Sequence, residues 1–341
     1  MTSRPHALRN RQVTHLAAGV LSMTTTAALT ACGENSDTEA QTRSDTTSSA
    51  RPTPTGIVTK AAASKIVNNY EKVNNRANAT QDEKLLATVE GGQVHEQSQA
   101  DYEQFKTWSA KKKEYASSFS YQDRSYWLPA AGTASWFAVT GTSNASDSHI
   151  LMIFDKVGAT YKMVAAVYSD TPIPEIAVDR YGLATEVDPS KKVGTLAPNE
   201  LGGVYEDLFE TGGKKAGKQL ASTESTKESV SVYEDRDDGD AARWATKKFF
   251  AKDPAHKKVY ALKLASGGVL AVFPTAHTQE LMLKPEYMGN SQINPNKTEA
   301  VYNSTPRTVV IDHFEGQGFA ELTPNGKPKV TAMEYRMVDS R

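Results

Sequence analysis

An internal repeat limits the possible folds of this chain more than any other feature of its sequence. The first copy has an amphipathic helical pattern at residues 66–73 and a second apolar segment at 85–90. The second copy has the same two segments at residues 201–209 and 220–224, at the same distance from the tyrosine of its helix. Since repeated patterns fold as repeated structural units, we expect two related units in the chain.

Residues that alternate between apolar and polar follow the helical segments in both copies. They are rich in β-branched and aromatic types, which is typical of half-buried antiparallel strands. The predicted strands are 119–128, 135–140, 149–156 and 161–168 in the first copy, and 243–251, 258–264, 269–274, 307–314, 318–322 and 329–338 in the second. Helices before strands predict an α+β fold of two tandem units, each with N-terminal helices packed on a curved antiparallel sheet. We place the first unit at 58–175, a docked linker at 176–197 and the second unit at 198–341.

The N-terminus has the composition of an export signal. Arg4, Arg9 and Arg11 precede an apolar stretch, and no acidic residue occurs before Glu34. The stretch of roughly 16 residues is shorter than the ~20 apolar residues that span a bilayer. Residues 1–31 are therefore predicted to be a signal peptide, exported by the general secretory route or, alternatively, by the twin-arginine route.

The single cysteine of the chain, Cys32, follows Leu29, Thr30 and Ala31 and precedes Gly33. This arrangement resembles the lipobox of bacterial lipoproteins, and the alternative is a free cysteine in a signal that is cut elsewhere. The resemblance implies cleavage before Cys32, lipidation of its thiol and a membrane anchor on the extracytoplasmic face of the cell membrane. Residues 32–57, rich in Ser, Thr, Asp, Glu and Pro, are predicted to hold the lipidated Cys and a disordered tether.

Charge and cysteine content restrict the partners of the chain. Its 39 Lys and Arg balance 40 Asp and Glu to a formal net charge of −1, which does not favour nucleic acid as a partner. With Cys32 lipidated, no second cysteine remains for a disulfide, so stability has to come from the hydrophobic core.

The sequence contains no recognised catalytic or cofactor motif. It has no Gly-x-Ser-x-Gly elbow, no P-loop, no dinucleotide fingerprint and no histidine or cysteine pair at metal-ligand spacing. We therefore predict no catalytic residue, no metal site and no cofactor.

The order of elements resembles that of NTF2-like and cystatin-like folds, in which a cone-shaped sheet surrounds N-terminal helices. A closer resemblance is to a family of uncharacterised lipoproteins from filamentous actinobacteria, through the segments at residues 70–78, 85–92, 272–280 and 332–338. This resemblance covers nearly all of the folded part of the chain and implies the class of protein and its cellular compartment. It implies nothing about chemistry.

Four residues outside the anchor are candidates for ligand binding. Arg76 ends the first long helix, which lines the mouth of a pocket in cone-shaped folds, and could meet an anionic ligand. His277, Glu280 and His313, beside Asp312, could act as acid and base or hold a divalent metal if they converge. The alternative is that Arg76 is a solvated helix-end residue and that the others are polar loop and strand-end residues.

Two functions from different classes are compatible with these patterns. The first is a non-enzymatic protein of the cell envelope that binds an envelope protein or a small ligand. The second is a pocket-bearing NTF2-like enzyme, a hydrolase or isomerase, that uses an Asp/Glu–His pair such as Asp312 or Glu280 with His277.

Overall fold

The computed structural model describes residues 53–113 and 117–341, which belong to one compact unit. The predicted signal peptide, Cys32 and most of the predicted tether lie outside the described residues. Within them the helices are α1 (Lys60–Thr80), α2 (Glu83–Leu86), α3 (Gly92–Gln104), α4 (Ala110–Lys113), α5 (Leu201–Thr211), α6 (Glu224–Glu234) and α7 (Glu299–Tyr302). None of these helices is long and apolar enough to cross a bilayer.

The strands form two antiparallel sheets, one in each half of the chain. They are β1 (Tyr121–Trp127), β2 (Trp136–Ser143), β3 (Ser146–Val157), β4 (Thr160–Ser169), β5 (Ala245–Lys252), β6 (Tyr260–Lys263), β7 (Val269–Leu283), β8 (Val309–Leu322) and β9 (Lys329–Ser340). The first sheet has the order β1-β2-β3-β4, and the second has β5-β7-β8-β9 with β6 also paired to β7. Helices and antiparallel sheets in both halves confirm the predicted α+β class.

The two sheets pack face to face, with a long helix on the outer face of each. Alternate residues of a strand point to opposite faces, so Trp136 of β2 joins an apolar cluster shared by both sheets while Phe137 packs under α1. In the second sheet, Val272 faces the shared cluster and Phe273 faces α5. Each large side chain buried in this way contributes about 1.5–3 kcal/mol to stability. The result is a layered arrangement of helix, sheet, sheet and helix.

Capping residues define both ends of helix α1. Thr59 is its N-cap, with a side-chain oxygen that accepts a hydrogen bond from the amide of Ala62, and Gln81 ends it in the left-handed conformation. Its buried residues include Ala63, Val67 and Tyr70, which are three or four positions apart and form one stripe against the first sheet.

The strand β7 is longer than the sequence predicts, because Pro274 does not end it. Pro274 lacks an amide hydrogen, and a proline in a central strand would break the ladder of hydrogen bonds. Here β6 pairs with β7 only as far as Val272, and β5 begins to pair at Ala276. Pro274 lies between these two partners, so the strand continues to Leu283.

The predicted strands at residues 307–314 and 318–322 are one strand, β8. Gly316 lies at its centre, and the ring of Tyr335 on β9 covers the place where a Cβ would stand. The glycine permits close approach of the neighbouring side chain and does not mark a turn.

Helix α3 joins the two halves through side-chain amides. Gln93 donates to the carbonyls of Thr275 and Gly316, each at 3.1 Å, and Gln97 donates to the carbonyl of Glu315 at 2.8 Å. Gln104 donates to the carbonyl of Met337 at 2.6 Å. All three glutamines are buried, and a buried amide without a partner would be destabilising. The helix therefore fixes the second sheet beside the first.

The segment between the halves also lies against both of them. Ile176 and Ala184 belong to the shared apolar cluster, and Glu186 accepts a hydrogen bond of 2.8 Å from the indole of Trp136. Near the start of the described chain, the amide of Ile57 donates to the carbonyl of Pro129 at 2.8 Å. The last residues of the predicted tether are thus part of the folded body, while the boundaries of the two predicted units remain a prediction.

Candidate functional site

An open cleft of about 380 Å³ lies between the N-terminal half of α1 and the hairpin that joins β3 to β4. We call it the α1 cleft. Its lining residues are Lys65, Ile66, Asn69, Tyr70, Val89, Phe154, Ala159, Thr160 and Tyr161. The walls are mostly aromatic and aliphatic, with a few polar groups, which is the composition of small-molecule sites.

Tyr70 connects the α1 cleft to a buried polar network. Its ring stacks on Tyr121 with a centroid distance of 6.3 Å and meets the edge of Phe154 at 5.9 Å. Its hydroxyl donates to Glu90 Oε1 at 2.8 Å, and Asn74 Nδ2 donates to the same oxygen at 2.8 Å. Behind them, Asn78 donates to Asn74 Oδ1 at 2.7 Å. Positions 70, 74 and 78 are one turn apart, so they share one face of α1.

The carboxyl group of Glu90 is the titratable centre of this network. The residue is 2 % exposed, and burial raises its pKa to about 7 against the opposing effect of the hydrogen bonds from Tyr70 and Asn74. The carboxyl group of Glu90 therefore gains or loses a proton near neutral pH. A single hydrogen bond connects it to Tyr70, which lines the α1 cleft. Titratable groups in such surroundings are concentrated at functional sites.

Arg76 does not line the α1 cleft. It lies on the exposed side of α1, whereas Asn74 and Asn78 are buried. Its neighbour Asn75 exchanges two hydrogen bonds with the backbone of Phe119, at 2.8 and 3.0 Å. The asparagines of this segment therefore have structural partners, and the structure does not bring Arg76 close to the other candidate residues.

His277 has a carboxylate partner that the sequence did not indicate. Its Nδ1 lies 2.8 Å from Glu206 Oε2, and Glu206 stands on α5. The other carboxylate oxygen of Glu206 accepts hydrogen bonds from Tyr335 at 2.7 Å and from the hydroxyl of Thr275. Burial, followed by the charge of Glu206, raises the pKa of Tyr335, so its hydroxyl remains a donor. Three donors thus converge on one buried carboxylate.

This cluster is tightly enclosed. Glu206 is 1 % exposed and His277 is 5 % exposed. The imidazole ring lies 4.5 Å from Phe209, 5.2 Å from Phe314 and 5.0 Å from Tyr335, measured between ring centroids. An acid–base pair in an enzyme must reach its substrate, whereas these rings pack closely around the pair. The geometry favours a structural role for Glu206 and His277.

Glu280 and His313 lie on the face of the second sheet opposite to His277. In the ladder between β7 and β8, His277 pairs with Phe314 while Thr278 pairs with His313, and adjacent residues point to opposite faces. His313 Nε2 accepts a hydrogen bond from Arg341 at 2.7 Å. Burial and the nearby Arg341 hold the pKa of His313 below its usual value. The two histidines therefore do not converge, and the described residues contain no group of three or more side chains that could hold a metal ion.

The sequence offered only weak signals for the buried carboxylates of Glu90 and Glu206. Glu90 follows Tyr70 by 20 residues along the chain, and 71 residues separate Glu206 from His277. Neither spacing is a known motif, although Glu206 stands next to Tyr205 in the helix of the second copy. Only the fold brings these partners together.

Comparisons with known proteins assign the chain to a family. A family model described as a domain of unknown function, DUF8094, matches residues 54–341. An uncharacterized lipoprotein of Streptomyces coelicolor is 32 % identical over 315 residues, which cover 88 % of this chain and 86 % of the relative. No solved structure matches. The expected similarity to uncharacterised lipoproteins is confirmed, and the chain belongs to the DUF8094 family.

Proposed function

We propose that this chain is a lipid-anchored protein of the cell envelope that binds a small ligand in the α1 cleft without transforming it. The observation that carries the proposal is the position of Tyr70, which lines an aromatic cleft and donates to a carboxyl group with a pKa of about 7. The cleft volume of about 380 Å³ falls within the range of small-molecule sites.

The anchor is supported by Cys32 and by the related lipoprotein. Cys32 follows a basic and then apolar N-terminus and is the one cysteine in the sequence. Multiple acyl chains would hold the protein on the membrane stably, whereas one chain binds only marginally. The body would then stand on the extracytoplasmic face of the membrane.

We also propose that the two halves are tandem NTF2-like or cystatin-like units. In each half a long helix packs on an antiparallel sheet, as α1 and α5 do. The hydroxyl of Tyr70 donates to Glu90, and that of Tyr205 donates to the carbonyl of Ser225 at 3.0 Å. Both hydrogen bonds span 20 residues of sequence, as expected for two copies of one ancestral unit.

The ligand we expect is a small, mainly apolar molecule with one polar or anionic group. Ile66 and Tyr161, which are partly exposed, supply apolar walls, while Lys65 and Asn69 supply polar contacts. A carboxylate or sulfonate on the ligand would pair with Lys65, and its apolar part would lie against the aromatic rings.

Fluorescence titration with anilinonaphthalene sulfonate tests the cleft, because this probe has both features. Thr160→Trp places a bulky ring at the cleft and should weaken binding about tenfold. The matched control is Ser146→Trp, on the hairpin that joins β2 to β3 of the same sheet. Equal binding by the wild type and Thr160→Trp would show that the probe binds elsewhere, and the proposal would fail.

Fractionation of cells tests the anchor. Cys32→Ser removes the thiol that would be lipidated, so the protein should leave the membrane fraction or accumulate unprocessed. Lipid labelling that persists in this variant would exclude Cys32 as the anchor. Mass spectrometry can compare the ligand recovered from the purified protein with the ligand that was added. An unchanged mass would favour binding over catalysis.

A further inference from the structure

A second cleft, of about 340 Å³, lies in the other half of the molecule. We call it the β5 cleft. It is lined by Glu210, Thr211, Lys215, Tyr233, Arg236, Lys247, Lys248, Phe249 and Phe250. These residues come from the C-terminal ends of α5 and α6, the segments after these helices, and the edge strand β5. Four of the nine side chains are cationic and one is anionic.

The cations come from separate elements of the fold. Lys215 follows α5, Arg236 follows α6, and Lys247 belongs to β5. Lysine on an edge strand protects against aggregation, and cations near a helix C-terminus are favoured by the helix dipole. The first reason explains the lysine on β5, and the second explains the cations after the two helices. Neither explains why all three elements direct cations to the same cleft.

Most of these cations lack an acidic partner. Within residues 53–113 and 117–341, no carboxylate lies within 4.0 Å of the ammonium groups of Lys215, Lys247 or Lys248. Arg236 has an acidic partner, with 3.0 Å between its Nη2 and Asp237 Oδ2. Other acids near the cleft include Glu210 in the lining, Asp207, whose Oδ2 accepts a hydrogen bond from the amide of Lys215 at 3.0 Å, and Glu280, which pairs with Lys248 across the ladder. The lining itself keeps an excess of positive charge.

The guanidinium of Arg236 is held in place before any ligand binds. It lies 3.8 Å from the centroid of the Tyr233 ring and donates to the carbonyl of Tyr233 at 2.6 Å. A preorganised guanidinium suits the geometry of phosphate oxygens.

We propose that the β5 cleft binds a phosphate-bearing ligand, with the phosphate among Lys215, Arg236 and Lys247. A soluble phosphate ester and the headgroup of an anionic lipid share this chemistry. The site is separate from the α1 cleft and does not depend on the function proposed for it.

Two binding measurements on the full chain carrying Cys32→Ser distinguish the sources. Calorimetric titration with glycerol phosphate tests a soluble ester. Co-sedimentation with vesicles of phosphatidylcholine, alone or mixed in equal parts with phosphatidylglycerol, tests a lipid headgroup. Binding in either assay, with the dependence on the variants described next, supports the proposal. Binding in neither overturns it.

The double variant Lys215→Gln/Lys247→Gln should lose about tenfold in affinity, because it removes two of the converging cations. The matched control Lys191→Gln/Lys257→Gln removes two charges at lysines whose side chains are 77 % and 64 % exposed elsewhere. Equal losses in the two double variants would reveal a general charge effect and overturn the proposal. Equal thermal unfolding of all three proteins excludes misfolding, and Thr160→Trp should leave phosphate binding unchanged.

Discussion

Each half of the molecule has a tyrosine near the middle of the helix that packs on its sheet, Tyr70 in α1 and Tyr205 in α5, but the surroundings of the two tyrosines differ. Tyr70 donates to the carboxyl group of Glu90, while Tyr205 donates to the carbonyl of Ser225 and contacts the hydroxyl of Ser229 at 2.8 Å. In the second half a buried carboxylate lies on the helix itself, at Glu206. The first half thus has a titratable centre beside a cleft, and the second half has an enclosed carboxylate.

Hydrogen bonds reach both oxygens of the Glu206 carboxylate, whereas the hydrogen bonds from Tyr70 and Asn74 both go to Oε1 of Glu90. Glu206 accepts from Thr275, His277 and Tyr335, and the surrounding rings enclose it. Glu90 accepts from Tyr70 and Asn74, and its burial is not fully compensated, since its pKa rises to about 7. We therefore expect the cluster around Glu206 to stabilise the fold, whereas the buried carboxyl group of Glu90 costs stability at neutral pH.

The largest effect is expected from Glu206→Ala. The substitution leaves Tyr335, Thr275 and His277 buried without their acceptor, at about 1–3 kcal/mol for each unpaired group, so the free energy of unfolding should fall by about 3 kcal/mol or more. Urea unfolding measures the loss. The control is Glu71→Ala, because Glu71 is only partly buried and accepts from the amide of Tyr121 at 2.7 Å. A loss at Glu206 no greater than at Glu71 would contradict a stabilising role for the enclosed cluster.

The free energy of unfolding should depend on pH through Glu90. The pKa of Glu90 is raised from 4.5 to about 7 in the folded state, so the folded protein holds this proton more tightly than the unfolded chain. The resulting stability is fully present below pH 4.5 and is lost as the pH rises through about 7. Between pH 5 and pH 8 the wild type should lose about 2–3 kcal/mol that Glu90→Gln does not lose.

Urea unfolding at several pH values measures this difference. Glu71→Gln, on the same helix as Tyr70, is the control and should keep the dependence of the wild type. If Glu90→Gln shows the same slope as the wild type, Glu90 does not titrate in this range, and the contrast between the two halves disappears.

The smallest effect separates the two tyrosines. Tyr205→Phe removes a hydrogen bond between neutral groups and should cost about 1 kcal/mol at any pH. Tyr70→Phe removes a donor to a carboxyl group that ionises, so its cost should grow to about 2 kcal/mol at pH 8. Unfolding at pH 5 and pH 8 gives both values, and a pH-independent cost for Tyr70→Phe would show that the two positions are equivalent.

Sequence patterns predicted the elements of the fold better than its polar interior. The apolar stripe of α1 and the hairpin turn at Gly158 follow from periodicity and turn chemistry, and both are present. Asn74 and Asn78 have the spacing of a solvated helix face, yet they are buried, because Glu90 arrives from the segment before α3. Local sequence contains no information about such partners.

The candidate residues illustrate the same limit. His277 lies three residues from Glu280, which suggests a pair, but a strand turns these two side chains to opposite faces. The true partner, Glu206, stands on a helix that packs on the sheet. The sequence pattern predicts that the strand ends at Pro274, which leaves His277 in a loop. The sequence therefore does not show on which face of the sheet the side chain of His277 lies.

The glutamines of α3 have a consequence for how this family can diverge. Gln93, Gln97 and Gln104 donate to main-chain carbonyls of the second half. A carbonyl is present whatever the side chain at that position, so substitutions on β7, β8 and β9 leave these hydrogen bonds available. The two halves can therefore change their clefts independently over evolutionary time while their mutual arrangement is inherited intact.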